Sequence, residues 1–228
     1  MITAHTLYVV STPIGNLADF SERGKQTLAE VDVIACEDTR RTQKLLSHFD
    51  IHTQTESHHG DSSDEKRERI IDKLKAGKEV ALVTDAGTPA VSDPGMRLVK
   101  RAHEEGIKVV SVPGPSAVTA ALSVAGIKGH AFTFLGYAPR KNRKDFMQEV
   151  KELPRTSVFF ASPHRVTDTL SVLADTLEEG HTVAVCRELT KQFESIVRGT
   201  PNKVQEHFED NPDKVRGEFV IVVANKDY

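Results

Sequence analysis

The sequence predicts an α/β protein of two α/β domains, an N-terminal one on a mainly parallel sheet and a C-terminal one on a mixed sheet. Three observations predict it. Over the first half of the 228 residues, short β-rich runs alternate with helical patterns. Those runs are continuously apolar, which fits parallel strands buried on both faces. Beyond the Pro113-Gly114-Pro115 turn, one pair of apolar runs is separated by too little chain for a crossover helix, which calls for antiparallel pairing.

The elements follow in order. Leu7 to Val10 is the first strand, ended by Ser11-Thr12-Pro13-Ile14-Gly15-Asn16. Ser21 to Glu30 is a helix opened by a capping serine. Val31 to Cys36 is the second strand, and Thr39 to His48 a helix. Asp64 to Ala76 places Ile70, Ile71 and Leu74 on one face and stops at Gly77. Val80 to Val83 is a strand, Met96 to Glu105 a helix stopped by Gly106, and Val109 to Val112 a strand. The proline-bearing turn sets domains at 1–114 and 115–228. After it come a small-residue helix, Ala117 to Ala125, and a helix over Val166 to Leu177. Phe132 to Leu135, Ser157 to Phe160, Val183 to Cys186, Phe193 to Val197 and Glu218 to Val223 read as strands.

Hydrophobic residues make up 38% and charged residues 28% of the chain, the balance of a soluble globular protein. Cys36 and Cys186 sit in apolar runs and read as reduced core thiols, not a disulfide framework. Met1 to Val10 lacks a basic start followed by a long apolar stretch, and no apolar run reaches membrane-span length, so a cytoplasmic protein without a leader is expected. The formal net charge is −3, so any nucleic-acid site must be a local patch.

Three loops follow predicted strands: Thr12 to Asn16, Asp85 to Gly95, and Pro113 to Ala117. In open α/β sheets ligands bind beyond the carboxyl ends of strands. Taken singly each loop reads as an ordinary turn; three at one edge point to a binding cleft. None contains lysine or arginine, and none has a phosphate-cradling or G-x-G-x-x-G pattern. Polyphosphate would meet Asp85 and Asp93 without a cationic clamp. Adenosine joined to a compact amino acid and a positive sulfur suits them better, which favours S-adenosylmethionine over ATP or NAD.

The segment Leu7 to Asp19, with Ser11-Thr12-Pro13-Ile14-Gly15-Asn16 at its centre, resembles the opening of the ribosomal RNA small-subunit methyltransferase I family, within the tetrapyrrole-methylase-like class. Cys36-Glu37-Asp38-Thr39-Arg40, Asp85-Ala86-Gly87-Thr88-Pro89 with Ser92-Asp93-Pro94-Gly95, Val112-Pro113-Gly114-Pro115, and Arg187-Glu188-Leu189-Thr190-Lys191 are similar to its later blocks, in order. The resemblance implies two α/β domains with the cofactor in the cleft between them, 2′-O-methylation of a cytidine in 16S rRNA, and a homodimer. It implies Pro13 beside the cofactor and Ala86, Gly87, Thr88 and Val91 around its methionine part; the segment from Asp85 to Val91 is expected to hold the cofactor by backbone contacts. Ser116 and Ala117 lie beside them, with Ala161 and Arg187 toward the adenosine. The family commonly continues into a further C-terminal segment, whereas this chain stops at Tyr228. If that segment grips RNA, the chain is expected to bind cofactor yet methylate poorly.

A ribose hydroxyl is a weak nucleophile, so a base or an electrostatic stabiliser is expected. Glu37 and Asp38 end a buried strand; Asp38 equally suits the cap of the following helix. Glu188, with Arg187 and Lys191, has a similar claim or belongs to a structural ion-pair cluster. Arg140, Lys141, Arg143 and Lys144 stand out against a net-negative chain and follow Tyr137, which can stack on a base. They are expected to lie along RNA phosphates, the alternative being a solvated helix start. Arg165 is a further RNA contact or a first-turn residue of its helix. His52, His58, His59 and Asp61 sit in a polar stretch without metal-ligand spacing and read as a solvated loop, so no metal is expected, with a substrate contact at His58 or His59 left open. Two other functions fit the motifs: methylation of a tetrapyrrole or another small molecule, and ribosome binding without catalysis.

Overall fold

A computed structural model of the chain describes residues 5–59, 64–177 and 180–225. The chain divides into two compact units, residues 1–116 and 117–228.

The first unit carries β1 (Thr6–Val10), α1 (Glu22–Glu30), β2 (Val33–Cys36), α2 (Thr39–His48), β3 (Gln54–Ser57), α3 (Asp64–Lys75), β4 (Val80–Leu82), α4 (Met96–Glu104) and β5 (Lys108–Val112). Its sheet has the order β3-β2-β4-β1-β5, and every pairing is parallel. Side chains alternate across a strand, so Tyr8 and Val10 face one core and Leu7 the other. The first core packs Ile34 and Cys36 against Leu28 of α1 and Leu46 of α2. The second packs Ala35 and Leu82 against Ile70, Ile71 and Leu74 of α3 and Leu98 of α4. Helices therefore cover both faces, which is why these strands read as unbroken apolar runs.

The second unit carries α5 (Ala117–Val124), β6 (Phe132–Tyr137), α6 (Arg143–Glu152), β7 (Thr156–Ala161), α7 (Val166–Thr176), β8 (Thr182–Arg187), β9 (Ser195–Gly199), α8 (Pro201–Asp210) and β10 (Phe219–Ala224). The order is β6-β7-β10-β8-β9. The β6–β7 pair is parallel and the other pairs antiparallel, so the sheet is mixed. Phe219, Ile221 and Val223 of β10 pack on Met147, Leu170, Leu173 and Phe208 of α6, α7 and α8. Val220 and Val222 pack on Val118 and Ala121 of α5. Cys36 and Cys186 are both free and buried; burial pushes the Cys186 thiol up to about 12.

The structure corrects the solvated-loop reading of His52 to Asp61. Gln54–Ser57 forms β3, paired with β2 from Val33↔Gln54 to Cys36↔Ser57. A hydroxyl hydrogen bond from Thr53 to Leu28 O and the Lys73–Glu56 ion pair hold it from outside the ladder. Its sequence is polar because an edge strand has one neighbour and one partly solvated face. His58, directly after it, is only 5% exposed. Asp61 lies outside the described residues. Among the described residues, no three His, Cys, Asp or Glu side chains gather as metal ligands.

Candidate active site

Because all strands of the first sheet are parallel, their carboxyl ends share one edge. Residues 11–16 leave β1 there, Glu37 and Asp38 leave β2, His58 and His59 leave β3, residues 83–95 leave β4, and 113–116 leave β5. The first and fourth of these segments are tied together. Thr12 N–H donates to Gly87 O at 2.9 Å and Gly87 N–H to Thr12 O at 3.1 Å. The Thr12 hydroxyl donates to Thr84 O at 3.0 Å, and the Ser11 and Thr88 hydroxyls lie 3.0 Å apart. Each such bond contributes on the order of 1 kcal/mol, which fixes Pro13 and Ala86 beside a rigid bridge. Gly87 is needed for its backbone, φ +85°, rather than for space: a Cβ would make ordinary contact with Ile14.

The rest of that loop is strained. Ala90 at φ +68° and Ser92 at φ +61° are left-handed without being glycine. Each costs on the order of 1 kcal/mol or more. Hydrogen bonds from Ala90 N–H to Pro94 O and from Val91 N–H to Thr88 O hold the shape. Val91 is left 46% exposed. Strain of this kind persists where the surroundings over-determine it, commonly at binding sites.

Four carboxyls gather at the edge and have different surroundings. Asp38 caps α2, accepting from Arg40 N–H at 2.8 Å, and Arg40's guanidinium lies 3.2 Å from it. These Arg40 contacts, side chain first, hold the Asp38 carboxyl below its ordinary value. Asp85 accepts from Asp38 N–H and pairs with Arg41 at 3.1 Å. Glu37 accepts from the Thr84 hydroxyl at 3.2 Å. The Asp93 carboxyl faces the same Thr84 hydroxyl. Burial first, then the Glu37 charge, push Asp93 up to about 6 against the favourable influence of the Thr84 hydroxyl, and Asp85 adds to the rise. Glu37 and Asp93 thus form a carboxyl pair around Thr84, with Asp93 able to gain or lose a proton near neutral pH.

In the second unit, β7 and β8 each run antiparallel to β10, and β6 parallels β7. The ends at Tyr137, Ala161 and Arg187 therefore share an edge. Ala161 is buried there. Arg187 donates from Nε to Arg216 O at 2.7 Å and from a terminal nitrogen to Phe193 O at 3.1 Å, bracing the β8–β9 connection. Glu188 accepts from Lys191 at 2.8 Å and from Glu218 N–H at 2.9 Å. Burial raises the Glu188 carboxyl, but these hydrogen bonds outweigh it and leave it below its ordinary value. Arg140, Lys141 and Lys144 are exposed, while Arg143 opens α6 and pairs with Asp168 at 3.3 Å. Arg165 ends the short turn after β7, and its carbonyl accepts from the Thr169 hydroxyl. Exposed Tyr137 stacks edge-on against Phe160.

The structure therefore brings Glu37, Asp38 and Asp85 together with the Thr12–Gly87 bridge, and it gathers the cations of the second unit at a separate sheet edge. It adds Thr84 to the residues that sequence reasoning singles out, and it gives the loop acid Asp93 and the loop histidine His58 defined places at that edge. A Thr-Asp at the end of an apolar run with a second Asp in the same loop is the signal available for Thr84 and Asp93; the burial of His58 has no such signal, because the strand before it is polar.

The family model for tetrapyrrole (corrin/porphyrin) methylases matches residues 6–205. A ribosomal RNA small subunit methyltransferase I of Vibrio cholerae serotype O1 is 44% identical over 96% of this chain and 77% of its own length. One of Xylella fastidiosa is 44% identical over 98% and 82%, and one of Escherichia coli O157:H7 is 41% identical over 95% and 77%. Among solved structures, a diphthine synthase superposes with a TM-score of 0.73 at 16% identity, covering 96% of this chain and 90% of that one. A cobalt precorrin-4 methyltransferase superposes with a TM-score of 0.67 at 21% identity, covering 97% and 95%. The structural likenesses establish the fold, and the sequence likenesses establish that the chain belongs to the ribosomal RNA small subunit methyltransferase I family of tetrapyrrole-methylase-like enzymes.

Proposed function

We propose that this chain transfers a methyl group from S-adenosylmethionine to the 2′-hydroxyl of a cytidine in 16S rRNA of the small ribosomal subunit. The observation that carries it is the edge of the first sheet, where a bridged, strained loop pair without its own cations lies beside the Glu37–Thr84–Asp93 group. The donor's chemistry fits. Residues 85–95 supply carboxylates and backbone polar groups and no lysine or arginine, which suits a sulfonium and an ammonium better than a polyphosphate. When bound, S-adenosylmethionine supplies an activated methyl group.

The chain's own part is positioning and proton handling. Ser11, Thr12, Gly87 and Thr88 fix one wall through the bridge, and Ala86 and Val91 offer exposed surface on it. In-line displacement depends on such positioning. A carboxylate at Glu37 or Asp93 accepts the hydroxyl proton as the ribose oxygen attacks. Asp38, turned to its helix cap, and Glu188, held by Lys191, serve structure better than proton transfer. The proposal includes Pro13, Asp85, Ser116, Ala117, Ala161 and Arg187 as cofactor contacts, a cytoplasmic homodimer, and RNA contacts at Arg140, Lys141, Arg143, Lys144 and Arg165. Among the described residues, no helix is long and apolar enough to cross a membrane.

The deciding experiment is radiolabelled methyl transfer to isolated 30S subunits, with a porphyrinogen as control. Label in 16S rRNA, at a ribose that then resists alkaline cleavage on its 3′ side, is the expected result. Label in the porphyrinogen alone would replace the proposal with small-molecule methylation. No label anywhere, with S-adenosylmethionine binding intact by calorimetry, would leave a ribosome-binding module.

A further inference from the structure

Asp93 also lines a pocket of about 190 Å³ whose wall includes His58, Arg67, Gly95, Met96 and Arg97. Its donors are of three kinds. The first is the start of α4. Gly95 caps that helix at φ +128°, and among the described residues no side chain is recorded bonding its first turn. A Cβ at Gly95 would stand 2.7 Å from Leu82 Cδ2, so the core below forbids any capping side chain. The first-turn N–H groups thus keep their partial positive charge and no side-chain acceptor.

The second is His58. It is 5% exposed, and its Nδ1 has no hydrogen-bond partner among the described residues. Its backbone N–H donates to Cys36 O at 2.7 Å, so the edge ladder fixes its position. A buried polar nitrogen without a partner is rare enough to call for one. The third is cationic. Arg97 is exposed and makes no ion pair among the described residues. Arg67 is offset by Asp64 at 3.0 Å and by Glu68 at 3.6 Å. Asp93 is the one carboxylate in the wall.

We propose that this pocket is a phosphate-binding subsite that takes a backbone phosphodiester of the RNA substrate. The RNA part rests on the function proposed above; the anion site does not. Helix N–H groups, an imidazole and a guanidinium are the donor set that a phosphate selects. A bound anion also draws protons. His58 is held below its ordinary value by burial first, then by Arg67, His59 and Lys66, with Glu56 opposing. A phosphate in the pocket works against the first four and favours the protonated ring, and it favours the neutral form of Asp93.

The test uses the full chain, isotope-labelled, titrated with inorganic phosphate against chloride at equal ionic strength. The expected result is saturable shifts of the Met96 and Arg97 amides and a rise in the His58 titration midpoint; Arg97→Ala should reduce both, and His58→Asn should reduce the amide shifts. Arg97 is on the surface, so its variant keeps the test valid should His58→Asn fold poorly. Absence of saturable shifts in the wild type overturns the subsite. In methyl transfer to 30S subunits, Arg97→Ala should raise KM about tenfold, the size of one charge-assisted hydrogen bond, with kcat and S-adenosylmethionine affinity unchanged. Normal phosphate binding with an unmoved KM overturns the assignment to RNA. Failure of the wild type to methylate 30S subunits sinks the proposed function instead, and the phosphate titration still judges the pocket.

Discussion

Glu37 and Asp93 both face the Thr84 hydroxyl, which donates to Glu37, and their roles separate by experiment. Glu37→Gln keeps an oxygen to accept from Thr84 and removes the charge. If Glu37 handles the ribose proton, turnover should fall on the order of 10²-fold or more while cofactor affinity by calorimetry stays near wild type. A loss of thermal stability with normal turnover in the folded fraction would make it structural. Asp93 makes a prediction in pH. Its carboxyl is raised from 3.8 to about 6 by burial and by Glu37. The folded chain therefore holds a proton there that the unfolded chain has released, so stability is lost as pH rises from about 4 through about 6. Asp93→Asn removes that dependence: its melting temperature should exceed wild type at pH 8 and converge with it near pH 4. Parallel curves across that range would count against the burial of Asp93. Of these residues, Glu37 and Asp85 are legible in sequence because they directly follow apolar strands. Thr84 is not, because a buried hydroxyl between two acids is a three-dimensional fact about strands 47 residues apart in sequence. The burial of His58 is hidden because the strand before it is polar.

At the scale of elements, the basic run divides in two. Arg143 opens α6 and is tied to Asp168, with its Nε buried and without a partner; the cations at 140, 141 and 144 stand in solvent. If the run follows RNA phosphates, the triple variant Arg140→Ala, Lys141→Ala, Lys144→Ala should flatten the salt dependence of 30S binding. Each lost phosphate contact should reduce the logarithmic slope by roughly 0.7 to 0.9. S-adenosylmethionine affinity should not change. An unaltered slope would make the run a solvated surface and turn attention to Arg165. The strands of the first sheet were readable because helices on both faces demand unbroken apolar runs. β3 was not, since an edge strand of Gln-Thr-Glu-Ser composition carries no such signal. The β8–β9 pairing followed from loop length alone, although β9 begins at Ser195, two residues later than its apolar run suggests.

For the whole molecule, a net charge of −3 leaves no general attraction for nucleic acid, so the proposed RNA binding needs local donors, which the α6 run and the pocket at α4 are proposed to supply. Sequence order and spatial order also differ sharply in the first unit. β1 lies between β4 and β5, whose residues pair with it from positions 80–82 and 108–112. β4 in turn separates β1 from β2. During synthesis the first strand therefore leaves the ribosome with both hydrogen-bonding edges open, and it gains its first neighbour only after some seventy further residues, roughly 4–15 s of translation. Sheets closed by such distant pairings form slowly and expose sticky edges meanwhile. A nascent-chain force profile should show no pull from this unit until β4 and then β5 clear the exit tunnel; a strong pull from chains ending before β4 would overturn that order. An enzyme proposed to mark ribosomal RNA would thus spend the opening of its own synthesis as an unpaired strand, dependent on whatever shields such edges at the tunnel mouth.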